Sequence, residues 1–217
     1  MSTTLAIVRH GETTWNLEGR YQGRLESPLS PLGIEQARAL AQYFATCGER
    51  GEPAPQQIFS SPLRRCRETA DAVAQTLSLN VTVDARLIEI GHGTWQGRYR
   101  DEIAANDPER YWSWRNTPER VRFENGESLH DVEARWRSFA HDVVAHPVGA
   151  LVVTHDALCR VALLQAMDRD LAEFWKVHVE NGAFSRLAIK HDGLIALEEC
   201  HSSHLAALRA PLERQAL

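Results

Sequence analysis

The sequence lacks the features that mark several large classes of protein. It has no apolar run that approaches the length of a membrane span. No secretory signal precedes its four cysteines, and these stand at positions 47, 66, 159 and 200 without any Cys-x-x-Cys spacing. Free thiols in a reducing cytosol are therefore expected rather than disulfides, and we predict a cytoplasmic protein with no membrane partner.

An excess of positive charge is also missing. The 217 residues carry 24 Lys plus Arg against 29 Asp plus Glu, a formal net charge of −5, so no nucleic-acid partner is expected. His10, His92 and His155 show no His-Glu-x-x-His or other short metal-ligand spacing, and nearby arginines would repel a cation. We predict no metal and no cofactor.

Nothing in the sequence divides the chain into separate parts. Without internal repeats, low-complexity tracts or a linker, residues 1–217 are interpreted as one domain. Short apolar runs alternate with segments whose apolar residues recur at helical spacing. This alternation predicts an α/β fold, a three-layer sandwich whose mostly parallel central sheet is flanked by helices. Residues 98–126, rich in aromatic and charged side chains, predict a small helical lid insertion over the sheet.

Local signals place the individual elements. Helices are predicted over residues 31–46 and 62–77, each opened by a serine cap and a proline. Residues 10–30 are predicted to form a long polar loop of functional character. A hairpin with Asp192-Gly193 at its turn is predicted near the end of the chain, followed by a tail over the last dozen residues.

Polar side chains follow three predicted strands where each strand ends. Arg9 and His10 come after the first strand, the Arg65 region after the second and His155 after the third. Parallel strands would deliver all of them to one edge of the sheet, where ligands bind in open α/β folds. Two guanidiniums match phosphate oxygens, and a neutral imidazole can attack phosphorus. The pattern predicts phosphoryl transfer without a metal.

Such chemistry also needs a proton donor for the leaving oxygen. Glu89 follows a strand candidate in a turn rich in glycine and aromatic residues, and it is the natural candidate. Its pKa would have to be raised by burial or by the negative charge of the phosphate. In the same turn, the favoured interpretation of His92 is a surface turn histidine, with an approach to the substrate as the alternative. Trp95 is interpreted as a packing residue rather than one that stacks on the substrate.

These residues belong to motifs that resemble the histidine phosphatase superfamily, also called the phosphoglycerate mutase-like family. The matching segments are Val8-Arg9-His10-Gly11-Glu12-Thr13 with Asn16, Tyr21-Gln22-Gly23, Pro28 to Ala37, Ser60 to Ala70, Leu87 to Gly97, Gly126-Glu127-Ser128 and Val152 to His155. They span nearly the whole chain in the order of the family. The Arg-His-Gly element alone would be weak, but the set is highly specific.

The resemblance implies a mechanism and a binding set. His10 would carry a phosphohistidine intermediate, and Glu89 would act first as an acid and then as the base that activates water. The implied catalytic residues that contact phosphate are Arg9, Arg65 and His155. The implied phosphate- and substrate-binding residues are Arg9, Asn16, Gln22, Gly23, Arg65 and His155. The choice of Arg65 over Arg64 depends on alignment with the family pattern.

The chain departs from the family at three positions. Asp156 stands where the family most often has glycine. It would orient His155, raise the pKa of His155, or cap the following helix, and the last is the interpretation we favour. Glu26 replaces a commoner Asp, and Gln96 replaces a Glu that is common in phosphatase members. Neither of the last two touches the predicted chemistry.

The predicted function is that of a histidine acid-type phosphatase, a metal-independent phosphomonoesterase that acts on a small phosphorylated metabolite. Cofactor-dependent mutases of the family carry a longer insertion with paired arginines, whereas the segment over residues 112–118 is short here. A cofactor-dependent phosphoglycerate mutase remains the alternative. A non-catalytic phosphate-binding module ranks below both, because every residue of the implied catalytic set is present. The sequence names no substrate and leaves a homodimer open.

Overall fold

A six-stranded mixed sheet forms the centre of the protein. The computed structural model describes residues 3–209 and 215–216. The strands are β1 (Thr4–Arg9), β2 (Gln57–Ser60), β3 (Val81–Val83), β4 (Ala150–Thr154), β5 (Phe184–Lys190) and β6 (Gly193–His201), in the order β3-β2-β4-β1-β5-β6. The first four in this order run parallel, whereas β5 pairs antiparallel with β1 and β6. The predicted α/β fold with a mostly parallel sheet is confirmed.

Helices cover both faces of this sheet. The described helices are α1 (Thr14–Glu18), α2 (Pro31–Ala45), α3 (Arg64–Leu77), α4 (Arg100–Asn106), α5 (Pro108–Asn116), α6 (Leu129–Ala145) and α7 (Asp156–Ala166). Val8 and Val153 pack with α2 and α3, while their neighbours Ile7 and Val152 pack with α6 and α7. Because successive side chains of a strand point to opposite faces, both faces of β1 and β4 are covered, and residues 5–8 and 150–153 are all apolar. The protein therefore has three layers.

Two local predictions were wrong for physical reasons. Helix α3 begins at Arg64 instead of residue 62. Its N-cap is Leu63, whose side chain cannot accept a hydrogen bond. The carboxylate of Glu26, from a distant loop, accepts the Arg64 backbone N–H at 3.1 Å instead. The predicted loop over residues 10–30 contains α1, which Thr13 and Asn16 start with a reciprocal capping box.

The segment over residues 98–126 is helical over residues 100–106 and 108–116, whereas residues 121–126 form no helix. It supplies α4 and α5, and the two are joined through Asp107, whose carboxylate accepts the indole N–H of Trp95 at 3.0 Å. Trp114 of α5 is buried against Phe123 and Trp175. Trp95 is 1% exposed, which confirms its predicted packing role. The function of this segment as a lid stays a prediction.

The predicted tail falls only partly on described residues, because residues 210–214 and 217 lie outside them. Gln215 and Ala216 are both 5% exposed and therefore pack on the body of the protein. None of the helices within residues 3–209 has the length and apolar character needed to span a bilayer.

Candidate active site

The ends of β1 and β4 bring two histidines side by side. Arg9 and Thr154 are register partners, and the His10 N–H donates to the Thr154 carbonyl at 3.0 Å. The rings of His10 and His155, one residue beyond each strand, have centroids 5.2 Å apart at 69°. Arg65, in the first turn of α3, reaches the same point, with its Nε 3.2 Å from Nε2 of His10. Strand-end residues from distant parts of the chain therefore converge as expected.

The hydrogen bonds of His10 define its tautomer. Nδ1 lies 2.7 Å from the Gly11 carbonyl, which can only accept, so Nδ1 carries the proton. Nε2 then has the lone pair, and it accepts the hydrogen bond from Arg65 Nε. Burial, together with the charges of Arg65 and Arg9, holds the pKa of His10 well below its usual value. The imidazole is therefore neutral at pH 7, with Nε2 as the nucleophilic atom.

Loop carbonyls fix the guanidinium of Arg65. Nη1 donates to Leu25 O at 2.9 Å and Nη2 to Gly23 O at 2.8 Å, and the side chain is buried. Arg64, its neighbour, instead pairs with Glu68 on the outside of α3 at 2.6 Å. Of these two adjacent arginines, only Arg65 points to His10.

Arg9 is a buried guanidinium with several partners and one unused donor. Nη1 contacts the carboxylate of Asp156 at 3.3 Å and the Val179 carbonyl at 3.3 Å. Nη2 donates to Oε1 of Gln215 at 2.6 Å. Nε is buried and has no hydrogen-bond partner within the described part of the chain. A bound anion could accept from this donor.

Glu89 has the protonation behaviour of an acid that works near neutral pH. Burial and the negative charge of Asp156 raise its pKa to about 7, although the Ile90 N–H donates to Oε1 at 2.8 Å. Glu89 as a whole residue is 7% exposed. Half of it is therefore protonated at pH 7, so it can donate a proton or accept one.

Most of the predicted site residues line one narrow cavity of about 20 Å³. They are Arg9, His10, Asn16, Gln22, Gly23, Arg65 and Glu89. Asn16 Oδ1 accepts the Thr13 N–H at 3.0 Å, which leaves the Asn16 amide N–H groups as donors. Oε1 of Gln22 is buried and unpartnered among the described residues.

His155 lies behind His10 and is not part of this cavity wall. It is fully buried, and its Nε2 lies 2.7 Å from the hydroxyl of Ser61. The Cys66 thiol is 3.3 Å from the same nitrogen. Burial and the charge of Arg65 lower the pKa of His155 well below its usual value. The ring of His155 therefore packs against His10, which lines the cavity, but His155 itself is not among the lining residues.

The interpretation of Asp156 as a helix cap was wrong. The N-cap of α7 is His155, and the Asp156 carboxylate instead bridges two buried arginines, Arg9 at 3.3 Å and Arg160 at 2.7 Å. Burial raises the pKa of Asp156, but the charges of Arg160 and Arg9 outweigh this effect and keep it below its usual value. Arg160 follows Asp156 at i+4, a signal that could have indicated this pair from sequence.

The favoured interpretation of His92 as a surface turn histidine was also wrong, whereas the alternative, an approach to the substrate, stays a prediction. It is 5% exposed, lines the cavity, and packs edge-on against Tyr21 and Phe123. Burial lowers its pKa to about 3, so the ring is neutral. Both ring nitrogens are buried without a partner among the described residues. The aromatic side chains that bury it come from distant segments, which a reading of the local sequence does not reveal.

Comparisons with known proteins agree with this geometry. A family model described as the histidine phosphatase superfamily (branch 1) matches residues 5–200. Phosphoserine phosphatase 1 from Hydrogenobacter thermophilus is 34% identical over 203 residues, with 93% of each chain covered. Glucosyl-3-phosphoglycerate phosphatase from Mycobacterium tuberculosis is 38% identical over 141 residues, which are 65% of this chain and 60% of the relative.

Structural similarity extends over nearly the whole chain. The native structure of a mycobacterial glucosyl-3-phosphoglycerate phosphatase superposes with a TM-score of 0.80 at 27% identity, covering 92% of this chain and 98% of that one. Fold, family model and relatives together support a phosphatase enzyme. The chain belongs to the histidine phosphatase superfamily.

Proposed function

We propose that this protein is a phosphomonoesterase of the histidine acid type, which hydrolyses a small phosphorylated metabolite without a metal and through a phosphohistidine at His10. One observation carries the proposal. A neutral imidazole, with Nε2 as its only lone-pair nitrogen, touches one buried guanidinium, Arg65, and shares a cavity with a second, Arg9. Glu89 in the same cavity supplies a carboxyl group with a raised pKa.

In the first half-reaction, the lone pair on His10 Nε2 attacks phosphorus while the bond between phosphorus and the ester oxygen breaks. Arg65 Nε transfers its hydrogen bond from Nε2 to a phosphoryl oxygen, and Arg9 neutralises further negative charge. Protonated Glu89 gives its proton to the leaving oxygen, so the product departs as an alcohol.

In the second half-reaction, the carboxylate left on Glu89 takes a proton from water as the water oxygen attacks phosphorus. The bond between phosphorus and His10 Nε2 breaks, and its electron pair returns to the ring. Phosphate leaves, and both side chains regain their starting protonation states.

The experiment compares the wild type with His10→Ala, using p-nitrophenyl phosphate with a chelator present. We expect steady turnover for the wild type and no turnover for His10→Ala. If hydrolysis of the phosphohistidine is the slow step, a burst of nitrophenol precedes the steady turnover of the wild type. His141→Ala, an exposed histidine on α6, is the matched control. Equal rates for the wild type and His10→Ala would remove this residue from the mechanism.

A second assay separates this proposal from a mutase. A phosphatase releases inorganic phosphate from simple esters without priming, whereas a cofactor-dependent mutase isomerises phosphoglycerate only after priming by a bisphosphate. Phosphoserine and glucosyl-3-phosphoglycerate head the substrate panel, because relatives are named for them. Isomerisation without net phosphate release would favour the mutase.

A further inference from the structure

A second and wider cavity adjoins the catalytic one. This outer chamber has a volume of about 430 Å³, against about 20 Å³ for the catalytic cavity. The smaller volume is little more than one water molecule needs, so the organic part of a phosphate ester must lie outside it. The outer chamber offers the space.

Positive side chains line the outer chamber. They are Arg100, Arg115, Arg160 and Lys176. Among the described residues that form its walls, none carries a carboxylate. A concave wall that presents cations and no carboxylate favours an anionic ligand, although Arg100 pairs with Asp101 at 3.2 Å outside the lining.

Arg115 is the lining cation best placed to accept an anionic ligand. It is exposed, and its guanidinium lies over the ring of Trp175 at 4.2 Å, which holds the group in place. It makes no ion pair within the described part of the chain. By contrast, Arg160 is neutralised by Asp156 at 2.7 Å, and Lys176 pairs with Glu173 at 3.6 Å.

Two contacts connect the outer chamber to the phosphate-binding groups. Gln215 lines the chamber and accepts the hydrogen bond from Nη2 of Arg9 at 2.6 Å. Tyr21 lines the chamber, and its ring lies 5.1 Å from that of His92 in the catalytic cavity. The walls of the two cavities are therefore in direct contact at these two points.

We propose that the outer chamber binds a second anionic group of the substrate, chiefly through Arg115. The preferred substrate is then a phosphomonoester whose alcohol part carries a carboxylate or another anion. This inference rests on the proposed phosphatase function and specifies its substrate class. A guanidinium fork matches a carboxylate and a phosphate equally well, so the shared chemistry is an anion.

The test compares substrates that differ by one anionic group. O-phosphoserine is compared with O-phosphoethanolamine, which lacks only the carboxylate, and fructose 1,6-bisphosphate is compared with fructose 6-phosphate. In at least one pair, we expect wild-type kcat/KM to favour the member with the extra anion by about 10- to 100-fold, as for one charge-assisted hydrogen-bonded contact. The pair that shows the preference identifies the anion.

Arg115→Gln tests the residue, and Arg110→Gln on the same helix is the matched control, because Arg110 pairs with Asp107 and does not line the chamber. We expect Arg115→Gln to reduce the preference about tenfold or more, mainly through KM, and Arg110→Gln to keep it. Salt should weaken the preference in the wild type.

Two results would overturn the inference: equal kcat/KM within both pairs for the wild type, or the same preference in Arg115→Gln and Arg110→Gln. Turnover of p-nitrophenyl phosphate is measured alongside. If that turnover persists while the preference is absent, the substrate class is wrong and the phosphatase proposal stands. If it is absent too, the phosphatase proposal has failed.

Discussion

Replacement of Glu89 by Gln tests the acid role through the leaving group. The amide keeps the size of the side chain but cannot give up a proton. The loss of kcat/KM should therefore be larger for a leaving oxygen that must be protonated than for one that departs as a stable anion. General acid catalysis contributes about 10²- to 10⁴-fold. We expect a loss of that size in kcat/KM for an alkyl phosphate such as phosphoserine, and a much smaller loss for p-nitrophenyl phosphate.

The raised pKa of Glu89 adds a pH dependence with a defined sign. Because its pKa is about 7, the acid form dominates below pH 7 and falls to about one tenth at pH 8. Wild-type kcat/KM for the alkyl phosphate should therefore fall about tenfold per unit above pH 7.

Initial rates for both substrates, measured from pH 5 to 9, check this reasoning. The fall in kcat/KM above pH 7 should disappear in Glu89→Gln. Glu124→Gln, which removes an exposed carboxyl group in a nearby turn, should retain this fall. Equal losses with the two leaving groups would refute the acid role. A fall above pH 7 that persists unchanged in Glu89→Gln would do so as well.

Two further predictions concern the buried charges. Arg65→Ala should both weaken competitive inhibition by inorganic phosphate and lower kcat. Arg64→Ala, which removes an exposed partner of Glu68, should change neither. Unchanged phosphate inhibition in Arg65→Ala would contradict the assignment of Arg65 to the phosphate site. Asp156→Asn leaves Arg9 and Arg160 buried without their counter-charge, so the free energy of unfolding should fall by about 3–5 kcal/mol. Added phosphate should then stabilise the variant more than it stabilises the wild type. Urea denaturation with and without phosphate measures this, and equal midpoints would count against the bridge.

Local rules were enough to predict where the chemistry-bearing residues converge. The ends of parallel strands share one edge, so Arg9, His10 and His155 had to meet once β1 and β4 were identified as strands. The same rules could not predict how the side chain of His155 packs. Nε2 of His155 lies 2.7 Å from the Ser61 hydroxyl and 3.3 Å from the Cys66 thiol of α3, two contacts between distant parts of the chain.

What sequence reasoning missed depends on contacts between distant segments. His92 looks like an exposed turn histidine until Tyr21 and Phe123 enclose it. Glu26 caps α3 from a loop far away along the chain, so no capping signal stands next to the helix. Gln215 reaches Arg9 from a segment that has no strong pattern of its own.

The loop before α2 supports α3 at two points, through its carbonyls on the Arg65 guanidinium and through Glu26 at the Arg64 N–H. Any opening of this loop would remove the cap of the helix and the anchors of the guanidinium together. Amide hydrogen exchange at Arg64 therefore reports the fraction of molecules with an assembled anion site, a fraction that limits the apparent affinity for every ligand of that site.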